Sequence, residues 1–169
     1  MRSVLAGVLF AVPMLFVQSV WLAHGLAYGV VPDLALVILI FASYHNQTGS
    51  GIISACITGL VADALSSTPM GYYTFLYTAI AYGAAMLHEV AALDRLVIPF
   101  LVASGGTLLK GILSHLLAFL SGDATQASVI LSVPFALEML ANGILAVPLF
   151  LALDKFKYLF TEHRKSERP

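Results

Sequence analysis

The sequence predicts an all-α integral membrane bundle of about six transmembrane helices, and three observations lead to this fold class. The 169-residue chain is 60% hydrophobic and only 10% charged, with a mean hydropathy of +0.94. A soluble domain carries about 25% charged residues, so this chain cannot build a water-facing surface. Polar turns divide it into six apolar segments. Nearly all of its Lys and Arg residues then fall on one side of the membrane, which the positive-inside rule makes the cytoplasm.

The six segments follow one another with short connections. In chain order they are Val4–Ala23, Pro32–Tyr44, Gly51–Leu65, Gly71–Leu87, Leu96–Leu120 and Ala127–Leu153. We interpret the first as an uncleaved helix, because no clear cleavage site follows it and further segments do. The second and third are short for a span of about 20 residues, so a re-entrant pair remains an alternative. Residues 1–153 form one transmembrane domain, residues 154–169 form a charged cytoplasmic tail, and both termini are cytoplasmic.

The stretch from Gly59 to Gly71 places the carboxylate of Asp63 beside a long run of uncharged residues. Asp63 in a membrane helix costs about 2.5–3.5 kcal/mol at the helix centre and less near the interface. We expect the hydroxyl and backbone N–H groups of Ser66–Thr68 to compensate it. Pro69 and Gly71 are expected to form the turn and restart the next helix.

Small residues lead up to this carboxylate along one helix face. Gly51, Ala55, Gly59 and Asp63 follow at intervals of four, so they share one side of the third segment. Small residues at this spacing let another backbone approach closely in lipid. The face is either a groove for a partner helix or a packing surface inside the bundle, and the sequence leaves both open.

Asp33 follows Pro32 at the start of the second segment. An acid there complements the positive end of the helix dipole, and proline suits a first helical turn. The six-span topology places Asp33 and Asp63 near the outer face. Three tyrosines near the start of the fourth segment suit a belt at headgroup level, namely Tyr72, Tyr73 and Tyr77.

Two charges lie deep in the last two segments. Lys110 and Glu138 are each about ten residues, or about 15 Å, from the outer turn between these segments. An antiparallel hairpin brings them to the same depth, so we predict an ion pair, which lowers the cost of each charge in lipid. Ser114 and Asn142 follow them by four residues on the same faces. We favour a structural pin between helices over a proton or substrate relay, and Glu138 is also available to another protein. Exchanging the two charges should restore what each single change loses.

The sequence contains no recognisable catalytic motif. His88-Glu89 begins a zinc-protease pattern, but Ala92 stands where the second histidine is required. One cysteine, Cys56, excludes a disulfide or a cysteine-based metal site within the chain. We therefore predict that the protein is no enzyme, needs no cofactor or metal and binds no nucleic acid.

Several short motifs resemble those of the MreD family, the rod shape-determining membrane proteins of bacteria. They are Pro32-Asp33-Leu34 at the entry to the second segment, the polar turn before Gly51, and Gly59-Leu60-x-x-Asp63 followed by Pro69-Met70-Gly71. The resemblance covers most of the chain, and its specific part is residues 32–73. Lys110 and Glu138 lie outside it and inherit no role.

The resemblance implies a non-catalytic scaffold of the cell-elongation complex in the bacterial cytoplasmic (inner) membrane. Such a protein docks MreC and links it to peptidoglycan synthesis by RodA and its penicillin-binding transpeptidase, with the MreB filament as an indirect partner and membrane lipid as its surroundings. A substrate-binding subunit of an energy-coupling-factor vitamin transporter is the alternative. Its pocket near the outer face would be lined by Asp33, Asp63, Tyr72 and Tyr73.

Overall fold

A computed structural model describes residues 1–22, 30–45, 49–87, 96–121 and 132–160. Within these ranges the chain is all-α and has no strand, which confirms the predicted fold class. The helices are α1 Arg2–Val17, α2 Leu34–Tyr44, α3 Ser50–Leu65, α4 Tyr72–Met86, α5 Val97–Leu120, α6 Val133–Asp154 and α7 Lys157–Phe160. A π-helical turn, Gln18–Leu22, continues α1.

The helices differ in how much of a membrane they can cross. Three are long and apolar enough to span it, namely Arg2–Val20, Val97–Leu120 and Val133–Asp154. The apolar helices α2 and α3 are shorter, with 11 and 16 residues. At 1.5 Å per residue α2 is only about 16 Å long, roughly half of a 30 Å hydrocarbon core.

This short helix is the core of the bundle. Every residue from Ala35 to Tyr44 is buried, and α1, α3, α4, α5 and α6 all pack against it. A helix that is apolar on all sides is stable only when other elements cover it completely. The long helices instead expose leucines on their outer sides, such as Leu9, Leu101 and Leu116. The architecture is therefore a ring of helices around α2.

The first part of the predicted tail packs against the bundle. The α7 residue Phe160 is fully buried, with its ring 5.3 Å from Phe41 and 5.6 Å from Phe10. These contacts join α7 to α1 and to the C-terminal end of α2. The remainder of the predicted tail, residues 161–169, lies outside the described residues.

The small-residue face of α3 is covered by this chain's own helices. A Cβ atom on Gly51 would lie 2.5 Å from Ser43 Cα in α2, and one on Gly59 would lie 2.5 Å from Thr74 Cα in α4. Ala55, between them, is fully buried. The alternative in which this face is an open groove for a partner helix is therefore wrong, because α2 and α4 already occupy it.

Candidate functional site

The N-terminus of α2 is buried inside the bundle, and side chains from three places satisfy its backbone groups. Asp33 is the N-cap, and its Oδ1 accepts a hydrogen bond from Leu36 N at 3.1 Å. Gln18 Oε1 accepts from Ala35 N at 3.2 Å, and Asn142 Oδ1 accepts from Asp33 N at 2.8 Å. A buried helix start needs such partners because its first N–H groups have none within the helix.

Lys110 connects this N-terminus to α6. Its Nζ lies 2.8 Å from Asp33 Oδ2 and 2.9 Å from Glu138 Oε1. The structure thus brings together Lys110 and Glu138, the two charges expected to meet. It adds Asp33, which sequence reasoning placed elsewhere. We call Asp33, Lys110 and Glu138 the charged triad.

The triad lies deep in the bundle, so the expectation that Asp33 is near the outer face is wrong. Its carboxylate contacts Lys110, which is about ten residues, or about 15 Å, from the end of α5 at Leu120. Asp33 itself is 4% exposed. The physical reason is that α2 begins inside the bundle rather than at its surface. Non-helical backbone is tolerated at membrane depth when protein covers it.

A second group of polar side chains surrounds the triad. The Tyr77 hydroxyl donates to both oxygens of Asp33, at 3.1 and 3.2 Å. Asn142 Nδ2 donates to Thr107 Oγ1 at 3.0 Å, and Thr107 in turn donates to Ala103 O at 2.9 Å. Residues of α4, α5 and α6 thereby fix the start of α2 in position.

Tyr77 therefore does not belong to a headgroup belt, as its position in the sequence had indicated. It is 1% exposed and serves as an internal hydrogen-bond donor. Tyr72 and Tyr73 lie closer to the start of α4 and are half-buried, with ring centroids 5.3 Å apart. The Tyr72 hydroxyl hydrogen-bonds to the hydroxyl of Ser114 on α5.

Asp63 forms a second polar centre, and it caps the neighbouring helix rather than its own turn. Its carboxylate accepts from Gly71 N at 3.0 Å, Tyr73 N at 2.7 Å, Thr74 N at 3.2 Å and Thr74 Oγ1 at 2.6 Å. The expectation that Ser66–Thr68 compensate this charge is wrong. The first turn of α4 offers free N–H groups already aimed at the carboxylate, and an anion is favourable there.

The turn between α3 and α4 is formed by the residues expected to form it. Ser66 Oγ and Thr68 Oγ1 bond to each other at 2.6 Å, and Tyr72 N donates to Pro69 O at 3.2 Å. Gly71 has a φ of +95°, a backbone conformation that residues other than glycine rarely adopt. This turn brings α4 back against the Asp63 end of α3.

The two carboxylates expected to line one outer pocket contact different parts of α4. Asp63 binds its first turn, and Asp33 binds Tyr77 further along. A separate hollow of about 400 Å³ lies between α4 and α5, beside Gly83 and Gly105. Its lining side chains are all apolar, so they offer a polar ligand no hydrogen bond. Among the described residues, no group of three His, Cys, Asp or Glu side chains is placed to hold a metal ion.

The sequence analysis gave no role to two members of the polar network, Gln18 and Thr107, and assigned a third, Tyr77, to the headgroup belt. Gln18 and Thr107 are single polar residues in apolar helices, and such residues carry no pattern of their own. The available signal was Asp33 itself, because a carboxylate in so apolar a chain needs donors from several helices.

Comparison with known protein families identifies the family of this chain. A family model described as rod shape-determining protein MreD matches residues 1–159. The chain belongs to the MreD family. It is accordingly a membrane protein of a family that acts in rod-shape determination. The same comparisons found no matching curated protein and no matching solved structure.

Proposed function

We propose that this MreD-family chain is a non-catalytic scaffold of the bacterial cell-elongation complex. In this proposal it crosses the cytoplasmic (inner) membrane six times, with both termini in the cytoplasm. The family match carries the proposal, because it extends over residues 1–159 and so includes α1 to α6 in full and all but the last residue of α7. The arrangement of the polar residues supports it, since the charged triad and Asp63 are engaged in contacts between helices.

As a scaffold, the bundle would dock MreC and link it to peptidoglycan synthesis by RodA and its penicillin-binding transpeptidase, with MreB as an indirect partner. A platform of this kind needs a rigid interior and outer helix faces that a partner can reach. The buried α2 fits the first requirement, and the exposed apolar faces of α1, α5 and α6 fit the second. Where no partner covers them, these apolar faces are suited to contact with lipid acyl chains.

The test is depletion of the chain followed by complementation in its own rod-shaped host. Loss of the protein is expected to produce round cells, and the wild-type chain is expected to restore rods. The tagged protein, purified in mild detergent, is then expected to recover MreC. Gly105→Ala is a matched control, because a Cβ atom there meets nothing within 4 Å and this variant should complement fully.

Rods that persist after depletion would contradict the proposal. Recovery of a bound vitamin or an ATPase module in place of MreC would support the transporter alternative.

A further inference from the structure

The two carboxylates of the charged triad are not equivalent. Asp33 accepts hydrogen bonds from Leu36 N, Tyr77 and Lys110, and its side chain is only 5% exposed. Glu138 accepts from Lys110 through Oε1 alone, and its side chain is 22% exposed. Among the described residues no donor reaches Glu138 Oε2. Glu138 is thus the open side of the triad.

The triad also lacks one positive charge. Two carboxylates share the single ammonium group of Lys110, so one negative charge is uncompensated when all three groups are ionised. The other Lys and Arg residues in the described part of the chain, Arg2, Lys155 and Lys157, lie at helix ends. Glu138 is about 24 Å along α6 from its C-terminal end, too far for the two lysines to reach. A carboxylate that has only a share of one cation is costly at this depth in a membrane, and charged groups there normally pair with an opposite charge.

We propose that Glu138 is a docking point for a cationic side chain, Lys or Arg, carried by a transmembrane helix of a partner protein. This inference rests on the proposed scaffold function and adds the position and the chemistry of the contact. The incoming cation supplies the missing positive charge and donates to Glu138 Oε2. Asp33 holds Lys110 from the other side, and Lys110 in turn holds Oε1 of Glu138. The Glu138 carboxylate therefore stays in place while its Oε2 faces the partner.

The position of the contact is tested by photo-cross-linking in membranes of the native host. A photoreactive residue replaces Ala141, one turn beyond Glu138 on the same side of α6. The control replaces Ile144, which is 63% exposed and lies about 120° around the helix axis from Glu138, whereas position 141 lies about 60° from it. We expect position 141 to cross-link to a transmembrane peptide that carries a Lys or Arg within one helical turn of the cross-linked residue. We expect no cross-link from position 144. Equal cross-linking at both positions, or a peptide without a basic residue, would overturn the proposal.

The chemistry of the contact is tested with charge variants and with MreC of the same organism as the probe. Glu138→Gln keeps the shape of the side chain and an acceptor for Lys110, so the bundle should fold. We expect this variant to recover at least about tenfold less MreC than the wild type, a loss of about 1.4 kcal/mol in binding. Glu138→Lys should recover less still, and changing the cross-linked basic residue of the partner to Glu should restore recovery.

The outcomes separate this inference from the proposed function. If the wild-type chain recovers no MreC, the scaffold proposal fails. If the wild type and Glu138→Gln recover MreC equally, only the docking point is wrong. Thermal unfolding of Glu138→Gln within about 4 °C of the wild type, the shift that a cost of about 1 kcal/mol gives, shows that a loss of MreC is not a loss of fold.

Discussion

At the scale of single residues, the two carboxylates that share Lys110 differ in how many other donors they have. Asp33 is saturated with donors, whereas Glu138 has one described partner. The contact between Lys110 and Asp33 also changes the meaning of a charge exchange. Lys110→Glu combined with Glu138→Lys would place a new carboxylate beside Asp33, so the exchange does not isolate the pair and should restore stability only in part.

Lys110→Met is expected to be the most destabilising single change in the triad. It leaves the buried Asp33 and the half-buried Glu138 without their shared cation, and breaking a buried ion pair in this way costs about 3–5 kcal/mol. Glu138→Gln should cost only about 1 kcal/mol, because the amide oxygen can still accept from Lys110. Unfolding free energies measured by steric trapping in bicelles check this order. Equal losses for the two variants would mean that Lys110 is not the shared partner.

Asp63→Ala is expected to loosen the start of α4. The change leaves the N–H groups of Gly71, Tyr73 and Thr74 without their acceptor, at about 1–3 kcal/mol for each buried group that water does not reach. Hydrogen exchange at these three amides should accelerate. Ser67→Ala in the exposed part of the turn is the control and should leave exchange unchanged. Unchanged exchange in Asp63→Ala would show that the carboxylate does not cap α4.

At the scale of helices, the sequence predicted most of the elements and the contact of α5 with α6 through Lys110 and Glu138, but not the contacts of α2. The segments foreseen at Gly51–Leu65 and Leu96–Leu120 agree with α3 and α5 to within one residue at each end. The depth of Asp33 was not predictable, since it depends on α2 being an 11-residue helix enclosed by five others. The donors of Asp63 were misassigned for a related reason. Ser66–Thr68 are close to Asp63 in the sequence, whereas the first turn of α4 comes close to it only in the tertiary fold.

Gly59→Ala is expected to disrupt the crossing of α3 and α4. The added methyl group would lie 2.5 Å from Thr74 Cα and 2.8 Å from Thr74 N, and backbone atoms cannot move aside without separating the helices. Gly105→Ala adds the same methyl group to α5 in open space. It should be neutral or gain up to about 1 kcal/mol from helix propensity. Thermal unfolding in detergent compares the two variants, and equal unfolding temperatures would argue against the close crossing.

At the scale of the whole molecule, the fold surrounds one buried helix with others whose outer faces are apolar. Close packing and hydrogen bonds between helices hold such a bundle together, because lipid gives the outer faces no hydrophobic drive to associate. Helix α4 contacts both polar centres, because Tyr73 N donates to Asp63 and, one turn later, the Tyr77 hydroxyl donates to Asp33. One helix thus donates hydrogen bonds at both polar centres and joins the Asp63 end of α3 to the start of α2.

The proposed topology makes a prediction for the two ends of the bundle, and the single cysteine makes it testable. In a chain carrying Cys56→Ser, a cysteine at Ser67 lies in the exposed turn between α3 and α4, and one at Tyr158 lies at the opposite end, where the side chain is 69% exposed. With six spans, a membrane-impermeant maleimide should label position 67 in intact cells and position 158 only after permeabilisation. The positive-inside bias supports this direction, because Lys155 and Lys157 flank the second site. Labelling of position 158 in intact cells would reverse the orientation, and it would place the open side of Glu138 at a different depth relative to the cytoplasm.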